Sequence, residues 1–599
     1  MIKTREEIDN NYKWDLSSIY KDLNEFNKDL KDAEEKIKEI EKYKDNFMDD
    51  ENILYEFLSF IEDLERKLEK LYMYAHLNFD SDTTNTTYQE LFGKVKNIFT
   101  LYSSISSFVS PNMIKYDYSV IEDYMSKNKN LKKYEKEIKD IFKYKDHTLS
   151  LKEEELLSTF GNVLSSGEDI FSYLTDSDIR FGTIKDENDK EVELTESNFS
   201  VYRTSKVRRV RKDSFEGIFS TYSNYKNTIS ACFASNVEAL CRLAKIRGFS
   251  SSIEASLFDD DVEVKIYDNL IDVVSKNLKP LYKYYDEKRK ILKLDDFHIY
   301  DAYANIVPSF DKKYSFEEAK NLTIEATKVL GEEYTKILNK EFDEKWVDIY
   351  PNKGKRTGAY SSGSYDTKPF ILLNFEGKYN DVSTLAHESG HSVHSYLSRT
   401  NQDFYNSQYK IFVAEVASTV NELLLAKYMI NNSKDKEEKL FILNNLLDLY
   451  KATIYRQVMF AEFEKYAHEL FEKGEVLTSE VLEDKYYELN KKYFGDKVEI
   501  DNLIRYEWLR VPHFFYNFYV YKYAIGLSCA SHIVNNILSG KEGAKENYIK
   551  FLSSGGSKTP IELLKIADCD LTKGEVIQSA IDMFEELLDE TLKLIKEGD

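Results

Sequence analysis

The sequence predicts a mostly helical fold, and three observations carry that prediction. Proline and glycine are scarce, 7 and 21 of 599 residues, and all seven prolines lie at Pro111 or later. Lys, Glu, Leu, Ile and Tyr are abundant in a composition that is 42% hydrophobic and 32% charged. Few breakers and many helix formers favour long helices. Apolar residues also recur at three- and four-residue steps, the period of a helix with one buried face.

The elements follow in chain order. In the segment 23–44, Leu23, Phe26, Leu30, Ala33, Ile37 and Ile40 form one apolar stripe, and the remainder is largely Lys, Glu and Asp. Segments 53–77 and 131–144 repeat that style, with no fixed-period repeat to indicate a solenoid. Near residue 175 the texture changes. The stretch RFGTIKDENDKEVELT reads as two short extended runs around a polar turn at Lys185–Lys190. The basic run Arg203, Lys206, Arg208, Arg209, Arg211, Lys212 reads as a solvated, salt-bridged helix start in an acidic chain, the alternative being an anion site. A boundary is expected there, dividing an N-terminal helical domain, 1–197, from a second domain, 198–599. Helical patterns resume after Asp213, with breaks at Pro280, Pro308 and Pro351.

The region 351–390 differs again. It holds five glycines, Gly354, Gly358, Gly363, Gly377 and Gly390. The run GAYSSGSYDTKPF has the composition of a mobile loop. It leads into Phe370–Phe375, a short apolar run that reads as a strand. Asp381 is placed to cap a helix starting near Val382.

Charge and targeting signals remove several classes. The formal net charge is −23, which disfavours nucleic acid and anionic membranes as partners. The N-terminus lacks an apolar signal-peptide core, and no run approaches the 18 apolar residues of a membrane span. Cys232, Cys241, Cys529 and Cys569 form no CxxC pair and read as scattered core thiols. A cytoplasmic protein is expected.

The chemistry concentrates in His387-Glu388-Ser389-Gly390-His391, an HExxH motif. Residues four apart share a helix face, so both imidazoles can address one metal ion while Glu388 reaches a water beside it. Nine histidines in 599 residues give roughly 0.02 chance occurrences of this pattern. A zinc site needs a third ligand. The pattern HExxHxxGxxH fails, because His394 and Leu397 stand where Gly and His are required. Classes with a glutamate 19 or 20 residues past His391 fail at Lys410 and Ile411. Glu415 is the first glutamate after His391, 24 residues on. Glu422, seven residues later, shares its helix face and reads either as a solvated glutamate or as a partner to a ligand histidine.

The runs HESGHSVHS and AEVASTVNE resemble the thimet-oligopeptidase superfamily of zinc metallopeptidases, and within it oligoendopeptidase F. The stretches GKRTGAYSSGSYDTKPFILLNFEG and RVPHFFYNFYVYKYAIG share the likeness, which is strongest over about 350–530. Ser389 departs from it, since relatives usually carry a larger apolar residue there; a small packing effect is expected. The resemblance implies a helical, two-lobed metallopeptidase with a deep substrate channel and a small β-sheet next to the HExxH helix. It implies one Zn²⁺ per chain held by His387, His391 and Glu415, with Glu388 as catalytic base, and endopeptidase action on short peptides.

Oxyanion donors are expected downstream. His513, Tyr516 and Tyr523 are the candidates, with Tyr519 nearby; Tyr516 and Tyr523 are two helical turns apart and expected to share a face. His394, Gly358 and Gly363 are expected to support the site or touch substrate. The glycine loop is expected to close over the peptide, and Phe370–Phe375 to pair with it. The rival readings are a zinc carboxypeptidase, a non-catalytic peptide-binding module of the same fold, and a helical scaffold with an accidental motif.

Overall fold

The computed structural model describes residues 2–307 and 310–597, so Pro308 lies outside the described residues. It is mainly helical, with five short strands among the described residues. The chain forms two compact units, each assembled from three stretches. The first comprises 1–145, 311–431 and 533–569; the second comprises 146–310, 432–532 and 570–599. This is a division by packing, whereas the proposed cut between residues 197 and 198 is one along the sequence.

In the first unit, the stripe at 23–44 becomes the helix Leu23–Glu39. Phe26, Leu30, Ala33 and Ile37 are buried on it, and Asp22 caps it through Asn24 and Glu25 N–H. The helices Glu51–Ser81 and Thr86–Ser106 pack against it and enclose one core, which also takes in Trp14, Phe370 and Leu372. A three-stranded sheet abuts that core. Its central strand, Phe370–Leu372, pairs in parallel with Val347–Asp348 and antiparallel with Tyr360–Ser362. The fully buried Asp348 fixes this corner by ion pairs to Arg5 and, at 2.7 Å, to Lys355. A buried carboxylate needs such partners.

The second unit holds the helices Arg208–Asn224, Lys226–Ile246, Gln457–Glu472 and Ser479–Phe494. The predicted hairpin is present, Thr183–Lys185 pairing antiparallel with Glu191–Glu193. Its basic run is salt-bridged as expected: Arg208 and Arg211 converge on buried Asp301, and Arg209 meets Asp189 and Asp213. Pro280 lies in the first turn of the helix Lys279–Ile291, where a missing N–H costs nothing. The four cysteines are buried and form no disulfide. Among the described residues, no helix is long and apolar enough to cross a membrane.

Candidate metal centre and active site

The motif lies on the helix Tyr379–Asn401. The helix begins three residues before the expected start, and Asp381 serves it from within the first turn. Its carboxylate reaches back to accept from Lys378 N–H at 2.9 Å and Glu376 N–H at 3.0 Å. Such acceptors satisfy amides that an N-terminus leaves unpaired. The rings of His387 and His391, one turn apart, lie with centroids 4.9 Å apart and planes at 79°.

Gly390 brings in the third ligand. A Cβ there would stand 2.7 Å from the carbonyl oxygen of Ala417 and 2.8 Å from the α-carbon of Ser418. Only glycine lets the helix Ile411–Asn432 cross so closely. Buried Asn421 fastens the crossing: it donates to the Ala386 carbonyl at 3.0 Å and accepts from Tyr334 Oη at 2.7 Å. Glu415 Oε2 then lies 3.5 Å from His387 Nε2 and 3.6 Å from His391 Nε2. One ligand atom from each of the three residues falls within 4.8 Å of the others.

The surroundings suit these atoms to a cation. Glu422 Oε2 stands 3.2 Å from His387 Nδ1, and Ser383 Oγ donates to its other oxygen at 3.2 Å. This directs Nε2 of His387 toward Glu415 and His391, as a metal-ligating histidine requires. Glu422 is thus in contact with a motif histidine. Burial opposes protonation of His387, yet the hydrogen bond and charge of Glu422, with Glu388 and Glu415, push its pKa up to about 9. The hydrogen bond with His391, opposed by burial and helped by both histidine charges, holds Glu415 down at about 2. Two imidazole nitrogens and a carboxylate oxygen match a catalytic zinc donor set.

Glu388 is 7% exposed. Burial raises its carboxyl above the ordinary range, while the charges of His391 and His387 and a backbone hydrogen bond from Ser361 pull the other way. That is the environment of a base tuned upward yet still ionisable.

Ser389 does more than fill space. Its hydroxyl donates to Glu341 Oε1 at 2.7 Å, and both residues are fully buried. Burial pushes Glu341 up to about 8, and the charge of Glu388 adds to the rise. The expected small packing effect is thus replaced by a polar contact under the motif. His394, 1% exposed, stacks on Tyr409 with centroids 3.8 Å apart, and burial lowers its pKa to about 3. It is a neutral ring supporting the helix.

Two expectations about the glycine region need correction. The strand Phe370–Leu372 is central, with neighbours on both edges, so it offers no free edge to a peptide. The two edge strands are Val347–Asp348 and Tyr360–Ser362, and Ser361 of the latter contacts Glu388. The loop is also not uniformly mobile. Gly363 is clamped: a Cβ there would lie 2.6 Å from the Lys368 carbonyl oxygen, and Arg399 donates to the Gly363 carbonyl at 2.7 Å. Gly358, at φ +85°, has open space around its α-carbon and its carbonyl held by Asn374 at 2.8 Å.

The downstream residues form a cluster within the second unit, by a different route from the one expected. The helix begins only at Tyr521, so Tyr516 and Tyr523 do not share a helical face. Instead the chain reverses at Asn517 and Phe518, both left-handed, with φ of 48° and 57°. The reversal brings Tyr523 Oη to 3.4 Å from His513 Nε2, with Tyr516 beside His513 and Tyr519 beside Tyr523. Burial lowers the His513 pKa, favouring the neutral imidazole.

Comparison with known proteins gives the chain's family. The Peptidase family M3 profile matches residues 201–583, and the Oligopeptidase F profile matches residues 113–181. Oligopeptidase PepF of Bacillus subtilis is 41% identical over 594 residues, covering 99% of this chain and 89% of that one. A Chlamydophila abortus protein of known structure superposes with a TM-score of 0.93 at 36% identity, covering 99% of this chain and all of the other. The oligoendopeptidase-F of Enterococcus faecium gives a TM-score of 0.72 at 34% identity over 96% of this chain and 99% of its own. With that coverage, and with two histidines and a glutamate gathered as a metallopeptidase requires, the chain belongs to peptidase family M3, among the oligoendopeptidase F metalloendopeptidases.

Proposed function

We propose that this protein is a zinc-dependent oligoendopeptidase that cleaves internal bonds of short, unstructured peptides, with one ion per chain. The observation that carries this reading is the convergence of His387, His391 and Glu415 beside the buried Glu388. His387, His391 and Glu415 would hold the ion, which when bound supplies a Lewis acid and a water whose pKa falls to about 7.

The chain's own groups do the rest. Glu388 takes a proton from the attacking water and passes it to the leaving amine nitrogen. Its raised carboxyl pKa suits both transfers. The outer edge of Tyr360–Ser362 offers its remaining backbone groups to an extended peptide, a mode that tolerates varied sequence. Neutral His513, with Tyr523 and Tyr516, supplies N–H and O–H donors for the oxyanion. The Gly358 end of the loop is the part with room to move over a bound peptide.

The test is an internally quenched peptide blocked at both ends, offered beside an intact folded protein, with metal analysis of the same sample. Zinc near one equivalent, cleavage of the blocked peptide and slow attack on the folded protein are expected. A carboxypeptidase would leave the blocked peptide intact. A protein without tightly bound metal would return the motif to accident.

A further inference from the structure

Glu464 lies outside every role assigned above. It is fully buried on the helix Gln457–Glu472. One carboxylate oxygen accepts from Phe518 N–H at 2.6 Å; the other has no hydrogen-bond partner. A buried carboxyl with a single partner is an expensive way to stabilise a fold. Burial pushes its pKa up to about 8, so it is held neutral or nearly so.

The amide it binds sits at an unusual place. Asn517 and Phe518 are consecutive non-glycine residues in the left-handed region. Side chains disfavour that conformation, and it persists only where surrounding contacts enforce it. Three contacts do so here. Glu464 holds the Phe518 amide. Ser256 Oγ donates to the Asn517 carbonyl at 2.6 Å. The Phe518 ring, 1% exposed, packs edge-on to Tyr267 and against His468. On either side of this turn stand His513 and Tyr516, and Tyr519 and Tyr523. Without the reversal, residues ten apart in sequence would not bring an imidazole and a phenol to 3.4 Å.

We propose that Glu464 is a positioning residue: by fastening the left-handed turn at Asn517–Phe518, it assembles the His513–Tyr516–Tyr523 donor group. The inference rests on the proposed role of that group in peptide hydrolysis. Glu464 touches no substrate; it acts through Phe518. Glutamine keeps a carbonyl oxygen that can accept from the same amide, whereas leucine keeps the approximate bulk and loses the acceptor. Ser256 acts on the same turn from the other side.

The experiment measures kcat and KM on a blocked quenched peptide, with zinc content and thermal midpoint, for six proteins. They are the parent, Glu464→Leu, Glu464→Gln, Tyr523→Phe, His513→Ala, and the Glu464→Leu/Tyr523→Phe double variant. Glu464→Leu is expected to lower kcat by 10- to 100-fold with KM within about threefold and zinc still near one per chain. Glu464→Gln is expected to stay within about threefold of the parent. In the Tyr523→Phe background the leucine change should cost less than threefold more, because both act through one donor group. Multiplying losses, or an unchanged kcat in Glu464→Leu, would overturn the proposal. If the leucine variant does not fold, Ser256→Ala replaces it in the same cycle, with a 3- to 10-fold loss expected and the same non-additivity required. Parent-like kcat in both Tyr523→Phe and His513→Ala would instead remove the role of the donor group itself, whatever Glu464 does.

Discussion

Ser389 donates a hydrogen bond to Glu341 at 2.7 Å inside the protein, one residue beyond the proposed base Glu388. The second oxygen of Glu341 has no hydrogen-bond partner, and burial holds the carboxyl near pKa 8. The consequence for stability has a definite sign. Below about pH 4.5 both folded and unfolded chains carry the proton, so nothing depends on pH. Between about 4.5 and 8 the unfolded chain ionises while the folded one stays protonated, and stability falls as pH rises. Above about 8 both are ionised and the cost levels off. Glu341→Gln removes the titration and keeps an acceptor for Ser389. The variant should therefore gain on the parent as pH rises from 5 to 8, by up to roughly 4 kcal/mol at about 1.4 kcal/mol per pH unit. Urea unfolding of both proteins at equal metal loading checks this; a pH-independent difference would refute the buried, protonated Glu341.

Gly390 sets the distance between two helices, and the ligand geometry depends on it. An added Cβ meets backbone at Ala417 and Ser418, which cannot swing aside as a side chain would. Gly390→Ala should push the helix carrying Glu415 outward and weaken metal binding at least tenfold. Overpacking of this kind costs about 1–3 kcal/mol. Competitive metal titration against a chelator reads the first effect and thermal unfolding the second. Unchanged metal affinity would mean that Glu415 does not depend on this crossing.

Glu422 Oε2 stands 3.2 Å from His387 Nδ1, so in the proposed site it would orient that histidine. Removing such a partner typically costs 10- to 100-fold in metal affinity. Glu422→Ala should show that loss while keeping the fold, and raising the metal concentration should restore most of the peptide cleavage. Glu415→Ala removes a ligand outright and should not be rescued at the same concentration. The contrast between the two titrations separates an orienting residue from a ligand.

What could be read from the sequence was the part governed by short-range periodicity. His387 and His391 are one helical turn apart, so their shared face follows from spacing alone, and Glu415 followed because the intervening positions offer no other glutamate. The helix Leu23–Glu39 was equally plain, its buried Phe26, Leu30, Ala33 and Ile37 lying on one stripe. Relationships made by tertiary packing were hidden. Glu341 looks like a solvated helix glutamate until a distant helix seals it. Phe370–Leu372 was recognisable as a strand, but only the fold shows that it has a neighbour on each side and that Tyr360–Ser362 stands at an edge. Tyr516 and Tyr523 have helical spacing, and nothing local announces a left-handed pair at Asn517 and Phe518. The groups that touch that turn, Glu464 and Ser256, lie more than fifty residues away in sequence.

Glu388 provides the sharpest separation of binding from chemistry. Its carboxylate is not among the three groups that come together as metal ligands, so Glu388→Gln should leave zinc content near one equivalent. The amide cannot accept the proton of the attacking water, and loss of a positioned base lowers rates by about 10²–10⁴-fold. The parent should need Glu388 ionised. Protonation of Glu388 should therefore give the parent an acid limb in kcat/KM, and the variant's residual activity should lack that limb. Metal analysis with initial rates over a pH series tests both statements. A variant that kept its zinc and the parent's rate would remove Glu388 from the mechanism. One that lost its zinc would place Glu388 among the groups that hold the ion.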